Sequence, residues 1–253
     1  MRVLLGGHAG VALQRAFAVF RHDMTRRNCP RRFARDHRLV ETEREQKMQR
    51  PPKQPRRTEI PDTDIAAYDG VVKRFRAWFG AGDAPAETHF EVGTYFGALL
   101  NSPQLCAKAS DLGVFFRAVG NTPGSYSHAD REFVDQVLSA DWRTNVVQNT
   151  HIPDAVKAGV RLEAIEALRQ GREEILNEDE RLLAAYIRQV VNGKVEESTY
   201  ARMQERLGVR GLVDYTGFIL WLQWIIRMMQ ALDTGTVSDE QVDALIQQVK
   251  ESR

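Results

Sequence analysis

From about residue 64 onward, apolar residues recur every three or four positions, and the alternation of a half-buried strand is nearly absent. That property restricts the chain to helices packed on helices. Helical segments are predicted at Ile65 to Trp78, His89 to Leu99, Gln104 to Val119, Ala129 to Ala140, Arg143 to Ala158, Leu162 to Gln170, Glu178 to Val191, Ser198 to Leu207, Gly211 to Leu232 and Asp239 to Lys250. Asn177 with Glu180, and Ser238 with Gln241, have the spacing of capping boxes, in which two side chains exchange hydrogen bonds with first-turn amides. Gly120, Gly159, Gly171 and Gly208 follow periodic runs, where a residue free to take positive φ ends a helix. The connections are short enough to set neighbouring helices antiparallel. The expected fold is an all-α bundle over residues 61–253.

The first 60 residues read differently. Between Arg21 and Glu59 there are 13 Arg or Lys against 6 Asp or Glu, whereas Ile60 to Arg253 carries 20 against 28. A near-neutral total therefore joins a basic arm to an acidic body. The stretch PPKQPRR at 51–57 has no apolar period, and residues 1–60 are expected to form a basic arm of low order. Acids are interspersed in it and aromatics are not interleaved, so nucleic acid is not an expected partner. In MRVLLGGHAGVALQRAFAVF, His8 and Arg15 interrupt the apolar run that a secretory signal needs. The Arg-rich continuation is closer to an organellar presequence, against which Asp23 and Asp36 count. A cytoplasmic location is the expectation, with organellar targeting left open.

Two cysteines, Cys29 and Cys106, supply neither a disulfide framework nor a C-x-x-C pair. The strongest apolar run, FILWLQWIIRMM at 218–229, contains Gln223 and Arg227 and is shorter than a membrane span. Large apolar groups on nearly all sides of that helix require cover nearly all round. The chain's own helices or a second copy can supply it, and the reading favours a homo-oligomer, a dimer, trimer or hexamer.

His151 is the only histidine in the last 125 residues. Thr144, Val147, His151 and Ala155 share one mostly apolar helical face, at whose edge an imidazole can remain neutral. The alternative to chemistry is a core histidine bonded to a backbone carbonyl. Pro153 removes an amide two residues on, and is expected to kink the helix and free the Asn149 carbonyl. In the preceding segment Glu132 stands between the apolar and polar faces, with Asp130 and Asp135 close by in sequence. Antiparallel packing would bring Glu132 toward His151, and a carboxylate orienting an imidazole is a competent acid–base pair. His128 and Glu132 have the spacing of metal ligands on a helix, but no second ligand cluster accompanies them, so no metal is expected. The glycine pair at 6 and 7 lacks the strand and helix of a dinucleotide or phosphate loop, and no cofactor is expected.

Arg131-Glu132-Phe133, ADWRTN at 140–145, His151, Ala155 and AGV at 158–160 occur in order with GTYFGALLNSPQL before them and YARMQERLGVRGLVDYTGFI after them. Together they resemble the core signature of the carboxymuconolactone decarboxylase family, which includes the alkylhydroperoxidase D-like (AhpD-like) proteins. The resemblance runs from Thr88 to near Leu232 and implies an AhpD-like helical bundle with a small-molecule substrate. In the peroxidase branch a glutamate stands nineteen residues before the histidine, a separation that Glu132 and His151 keep. The two cysteines of that branch are replaced by Thr144 and Val147, so dithiol peroxidase chemistry is not expected. The decarboxylase branch lacks those cysteines. Resemblance to it implies a cofactor-free lyase acting on a small carboxylated or lactone-type substrate. Glu132 and His151 would then move protons, Arg143 would orient an anionic group, and Thr144 and Val147 would line the substrate site. The Tyr-Glu-Trp group common ahead of the family histidine is here Val146-Val147-Gln148, a departure at the pocket. Two further readings stay open: a non-catalytic helical oligomer with His151 in its core, and a single-cysteine peroxidase, which needs an exposed Cys106 with a lowered pKa.

Overall fold

A computed structural model describes residues 50–252 apart from positions 86, 120 and 121. The expectations for the arm up to residue 49, for Cys29 and for Gly120 lie outside the described residues. Helices α1 (Asp62–Trp78), α2 (Thr94–Leu99), α3 (Pro103–Val119), α4 (His128–Trp142), α5 (Asn145–Ala158), α6 (Leu162–Gln170), α7 (Glu178–Val191), α8 (Glu197–Leu232) and α9 (Asp239–Glu251) follow one another, with no strand among the described residues. The result is an all-α helical bundle. No helix among the described residues is long and apolar enough to cross a membrane.

Helix α4 is the hub. Helices α5, α6, α7 and α8 all pack on it, and every residue from Asp130 to Ser139 is buried. Phe133, Val134, Val137 and Leu138 supply its apolar side. Its other side is polar and equally buried, which is unusual for a surface-to-core helix and matters for the site. The start of α4 is fixed by a capping box: Asp130 N donates to Ser127 Oγ at 3.1 Å and Ser127 N to Asp130 Oδ2 at 2.9 Å. The boxes predicted at Asn177/Glu180 and Ser238/Gln241 are formed as well. Such caps stabilise a helix by about 1 kcal/mol each.

Four boundaries differ from expectation. Helix α2 begins at Thr94, not His89, because Gly93 (φ 91°, ψ 165°) breaks any helix there. Residues 50–60, expected to be part of a loose arm, are packed instead. Gln54 accepts from Val92 N at 3.0 Å and donates to Phe90 O at 2.8 Å. Tyr68 donates to Pro55 O, Arg57 forks onto Asp69 and Ile60 is buried. The segment is held by polar partners distant in sequence rather than by an apolar period of its own, so its composition gives no sign of order. The segment expected to begin at Arg143 begins at Asn145: Arg143 adopts a left-handed conformation (φ 52°, ψ 48°) as the C-cap of α4. Finally, the two segments around Gly208 join as α8, yet Gly208 itself (φ 67°, ψ 174°) is not helical, so the predicted break is present inside one long element.

Helix α5 runs through Pro153 to Ala158 without interruption. Gly159 and Gly171 cap α5 and α6 in the left-handed region, as expected. Along α8, Leu212, Tyr215, Phe218, Ile219, Leu222, Ile225 and Ile226 are buried by the chain itself, while Val209, Val213 and Leu220 are exposed.

Candidate functional site

The polar side of α4 meets α5 in an antiparallel seam whose register is marked by two side-chain contacts: His128 Nε2 lies 3.2 Å from Asp154 Oδ2, and His151 Nδ1 lies 2.9 Å from Glu132 Oε2. The sequence expectation that Glu132 and His151 approach each other is met by the second of these.

Glu132 is the centre of the arrangement. Its side chain is wholly buried and its two oxygens face different ways. Oε1 accepts from Arg131 Nη2 at 2.7 Å and Nε at 3.1 Å, and lies 3.4 Å from His128 Nε2. Oε2 holds His151 Nδ1. Asp135 stands near the same edge of that imidazole, its Oδ2 3.6 Å from the same nitrogen. Asp154, three residues after His151, completes the outer edge, 3.8 Å from Arg131 Nη2. A buried carboxylate costs several kcal/mol to desolvate, and here it faces a guanidinium and two imidazoles.

These contacts decide the protonation states. Burial raises the Glu132 carboxyl, but the His151 charge, the hydrogen bonds from His128 and His151 and the Arg131 charge outweigh it and hold the group well below the usual carboxylate range. Burial pushes Asp135 up to about 7, with Glu132 adding to the rise and His151 opposing it. Burial pulls the His151 imidazole down, yet the Asp135 and Glu132 carboxylates prevail and push it up to about 9. His128 is raised by its contact with Glu132, against burial. At neutral pH the site therefore holds an imidazolium on an ionised Glu132, beside a carboxyl close to its own midpoint. His151 Nδ1 bonds to Glu132 Oε2, with Asp135 3.6 Å away as a charge only, and Nε2 bonds to no described residue. With its side chain 29% exposed, His151 can present Nε2 to a small molecule and donate or accept a proton there.

The expected substrate residues are placed elsewhere or play other parts. Arg143 is exposed at the α4–α5 turn and lines, with Thr144, Gln230 and Val237, a surface hollow of about 250 Å³ that includes neither Glu132 nor His151. The guanidinium at the pair is that of Arg131. Thr144 is the N-cap of α5 and receives a hydrogen bond from Gln230, and Val147 is a core residue. Two sets of side chains have metal-donor composition, His128 with Glu132 and Asp154, and Glu132 with Asp135 and His151, each with donor atoms within 4.8 Å of one another. In the first set Arg131 already places a cation on the shared Glu132 oxygen. Cys106 is fully buried, its Sγ 3.8 Å from Phe96 O, and burial pushes its thiol up to about 12. A peroxidatic thiol needs exposure and a lowered pKa, the reverse of both properties.

Asp154 could have been found in the sequence, since it follows His151 at i+3 on the same helical face. Arg131 and the polar residues further along the seam give no local signal, because what they face is set by the register of α4 on α5. No protein-family model, curated protein or solved structure matches the chain.

Proposed function

We propose that the chain is a cofactor-free acid–base enzyme of lyase or decarboxylase type, acting on a small carboxylated or lactone-type molecule, with His151 as the proton-transferring group and Glu132 as the residue that orients and charges it. The observation that carries this reading is the 2.9 Å bond from His151 Nδ1 to a wholly buried Glu132. A carboxylate so placed selects the tautomer, stabilises the imidazolium and leaves Nε2 for the substrate. An imidazolium donor suits protonation at carbon, the step that a decarboxylation leaves to be completed. The order of motifs in the sequence, which resembles that of carboxymuconolactone decarboxylase-like proteins, supports the same reaction class. Turnover of a panel of small lactones and keto or enol acids tests it. His151→Ala and Glu132→Gln should each abolish activity while the circular-dichroism spectrum stays helical. Unchanged turnover in His151→Ala sinks the reading.

The second reading, a helical homo-oligomer without catalysis, draws on the exposed apolar residues Val209, Val213 and Leu220 of α8 and Leu112 and Phe115 of α3. It predicts a multiple of the 28.8 kDa chain mass in solution and no turnover of any panel member.

A further inference from the structure

Two helix ends depart from the pattern set by their neighbours. Where a helix stops on a left-handed residue, glycine is the unstrained choice, and Gly159 and Gly171 take that position after α5 and α6. After α4 and α8 the position is held by Arg143 (φ 52°) and Asp233 (φ 56°). They are the only non-glycine residues with positive φ among the described residues. Backbone strain of this kind is retained where the side chain is needed, and ligand-binding positions are among those places.

The two residues meet in one place. Both line the surface hollow of about 250 Å³ formed by the α4–α5 turn, the end of α8 and residues 235–237, and they are the only charged residues in its wall. Neither side chain has a hydrogen-bond or ion-pair partner among the described residues, so a cation and an anion share the hollow without pairing. The wall around them is tied in place. Gln230 Nε2 donates to Trp142 O and to Thr144 Oγ1, each at 3.3 Å, and Asn145 Nδ2 donates to Val237 O at 3.1 Å. A hollow held open by its own hydrogen bonds needs little ordering when a ligand arrives.

The charges define the chemistry of that ligand. An acid without an ammonium group meets Asp233, and an amine without a carboxylate meets Arg143, so a molecule with one charge is opposed by a like charge in the wall. The volume lies below the range of about 300–1,000 Å³ usual for sites that hold drug-sized ligands. Val146, Met229 and Val237 supply apolar wall. We infer that the hollow is a binding site for a small zwitterion, a free α-amino acid with an aliphatic side chain, whose carboxylate pairs with Arg143 and whose ammonium pairs with Asp233. The bound molecule joins the α4–α5 turn to the end of α8. Glu132 and His151 lie outside the hollow, and the site is independent of the acid–base pair.

The test uses the full chain and three related compounds: L-leucine, 4-methylpentanoate, which lacks the ammonium, and 3-methylbutylamine, which lacks the carboxylate. In titrations near neutral pH followed by ¹H–¹⁵N spectra, leucine should move the backbone signals of Val146 and Gly235. It should bind about tenfold more tightly than either analogue, the difference expected for one charged hydrogen-bonding group. Arg143→Gly and Asp233→Asn both suit a left-handed backbone, so neither should lower the melting temperature, and each should weaken leucine by about tenfold. In Asp233→Asn, 4-methylpentanoate should bind as well as leucine does. His151→Ala should leave leucine binding unchanged. No shift at Val146 and Gly235, an analogue that binds the parent as tightly as leucine, or full leucine affinity in Arg143→Gly overturns the inference. A lower melting temperature in Arg143→Gly does so too, since the arginine would then be kept for the fold, and loss of leucine binding in His151→Ala would place the ligand at the acid–base pair instead.

Discussion

Asp135→Asn should lower the pKa of His151, because the Asp135 carboxylate is one of the two charges that raise it. Asp135 Oδ2 is 3.6 Å from His151 Nδ1 and only 2% of the residue is exposed. Between its own midpoint near 7 and that of His151 near 9, Asp135 is ionised and faces the imidazolium. At that separation and an effective dielectric constant near 20, Coulomb's law gives about 4–5 kcal/mol, or roughly three pKa units. The imidazole is 29% exposed, and solvent reduces the figure, so a fall on the order of two units is expected. The assay is a titration of the His151 ring signals by NMR in the parent and the variant. A midpoint that stays within half a unit of the parent value refutes the electrostatic account. The same shift governs stability. An imidazole raised from 6.5 to about 9 stabilises the fold in full below pH 6.5 and loses that contribution as pH rises through 9. The contribution is about 3 kcal/mol before screening is considered. In Asp135→Asn the loss should occur over a narrower window, closer to pH 6.5, with a smaller amplitude in urea unfolding.

Three further outcomes are expected. The Cys106 thiol should be silent toward a disulfide reagent and toward peroxide in the folded chain at pH 8 and react at once in denaturant; prompt reaction of folded protein would contradict its burial. Gln54→Ala should lower stability by about 1–3 kcal/mol and expose residues 88–93 to proteolysis, because Gln54 holds both Phe90 O and Val92 N; an unchanged urea midpoint would show that the segment is not held there. Gly208→Ala should cost about 1–3 kcal/mol, since φ 67° with ψ 174° is open to glycine almost alone; crowding is excluded as the cause because nothing lies within 4 Å of an added Cβ.

Most of the helices were legible because an apolar period of 3.6 survives in any packing arrangement, and the caps at Asn177 and Ser238 are local chemistry. The box at Ser127 and Asp130 has the same kind of local signature. The Glu132–His151 pair was legible through its separation along two adjacent helices. The remainder depended on register. Gln136 and Gln148 look like ordinary helix-surface residues until α4 is known to be buried on every side. Asp135 is one of many carboxylates until its face is known to meet His151. Gln54 stabilises a segment that it reaches across 36 and 38 residues of chain, a distance at which no periodicity operates. Arg143 stands at an expected helix start in the sequence, and in the fold it is the left-handed residue at which the chain turns.

That turn is also a gauge. Arg143 and Thr144 are the only residues between α4 and α5, and the left-handed step at Arg143 reverses the chain with no slack. Each residue added to or removed from a helix swings everything beyond it by about 100° and 1.5 Å. An insertion anywhere from 133 to 150 would therefore carry His151 off the Glu132 carboxylate, or be absorbed only by unwinding a turn of α4 or α5. The loop cannot lengthen to compensate in the way an open surface loop does. Length variation in this protein is thus confined to the stretches outside the hairpin, and the nineteen-residue interval between Glu132 and His151 behaves as a fixed mechanical dimension rather than a spacing free to drift.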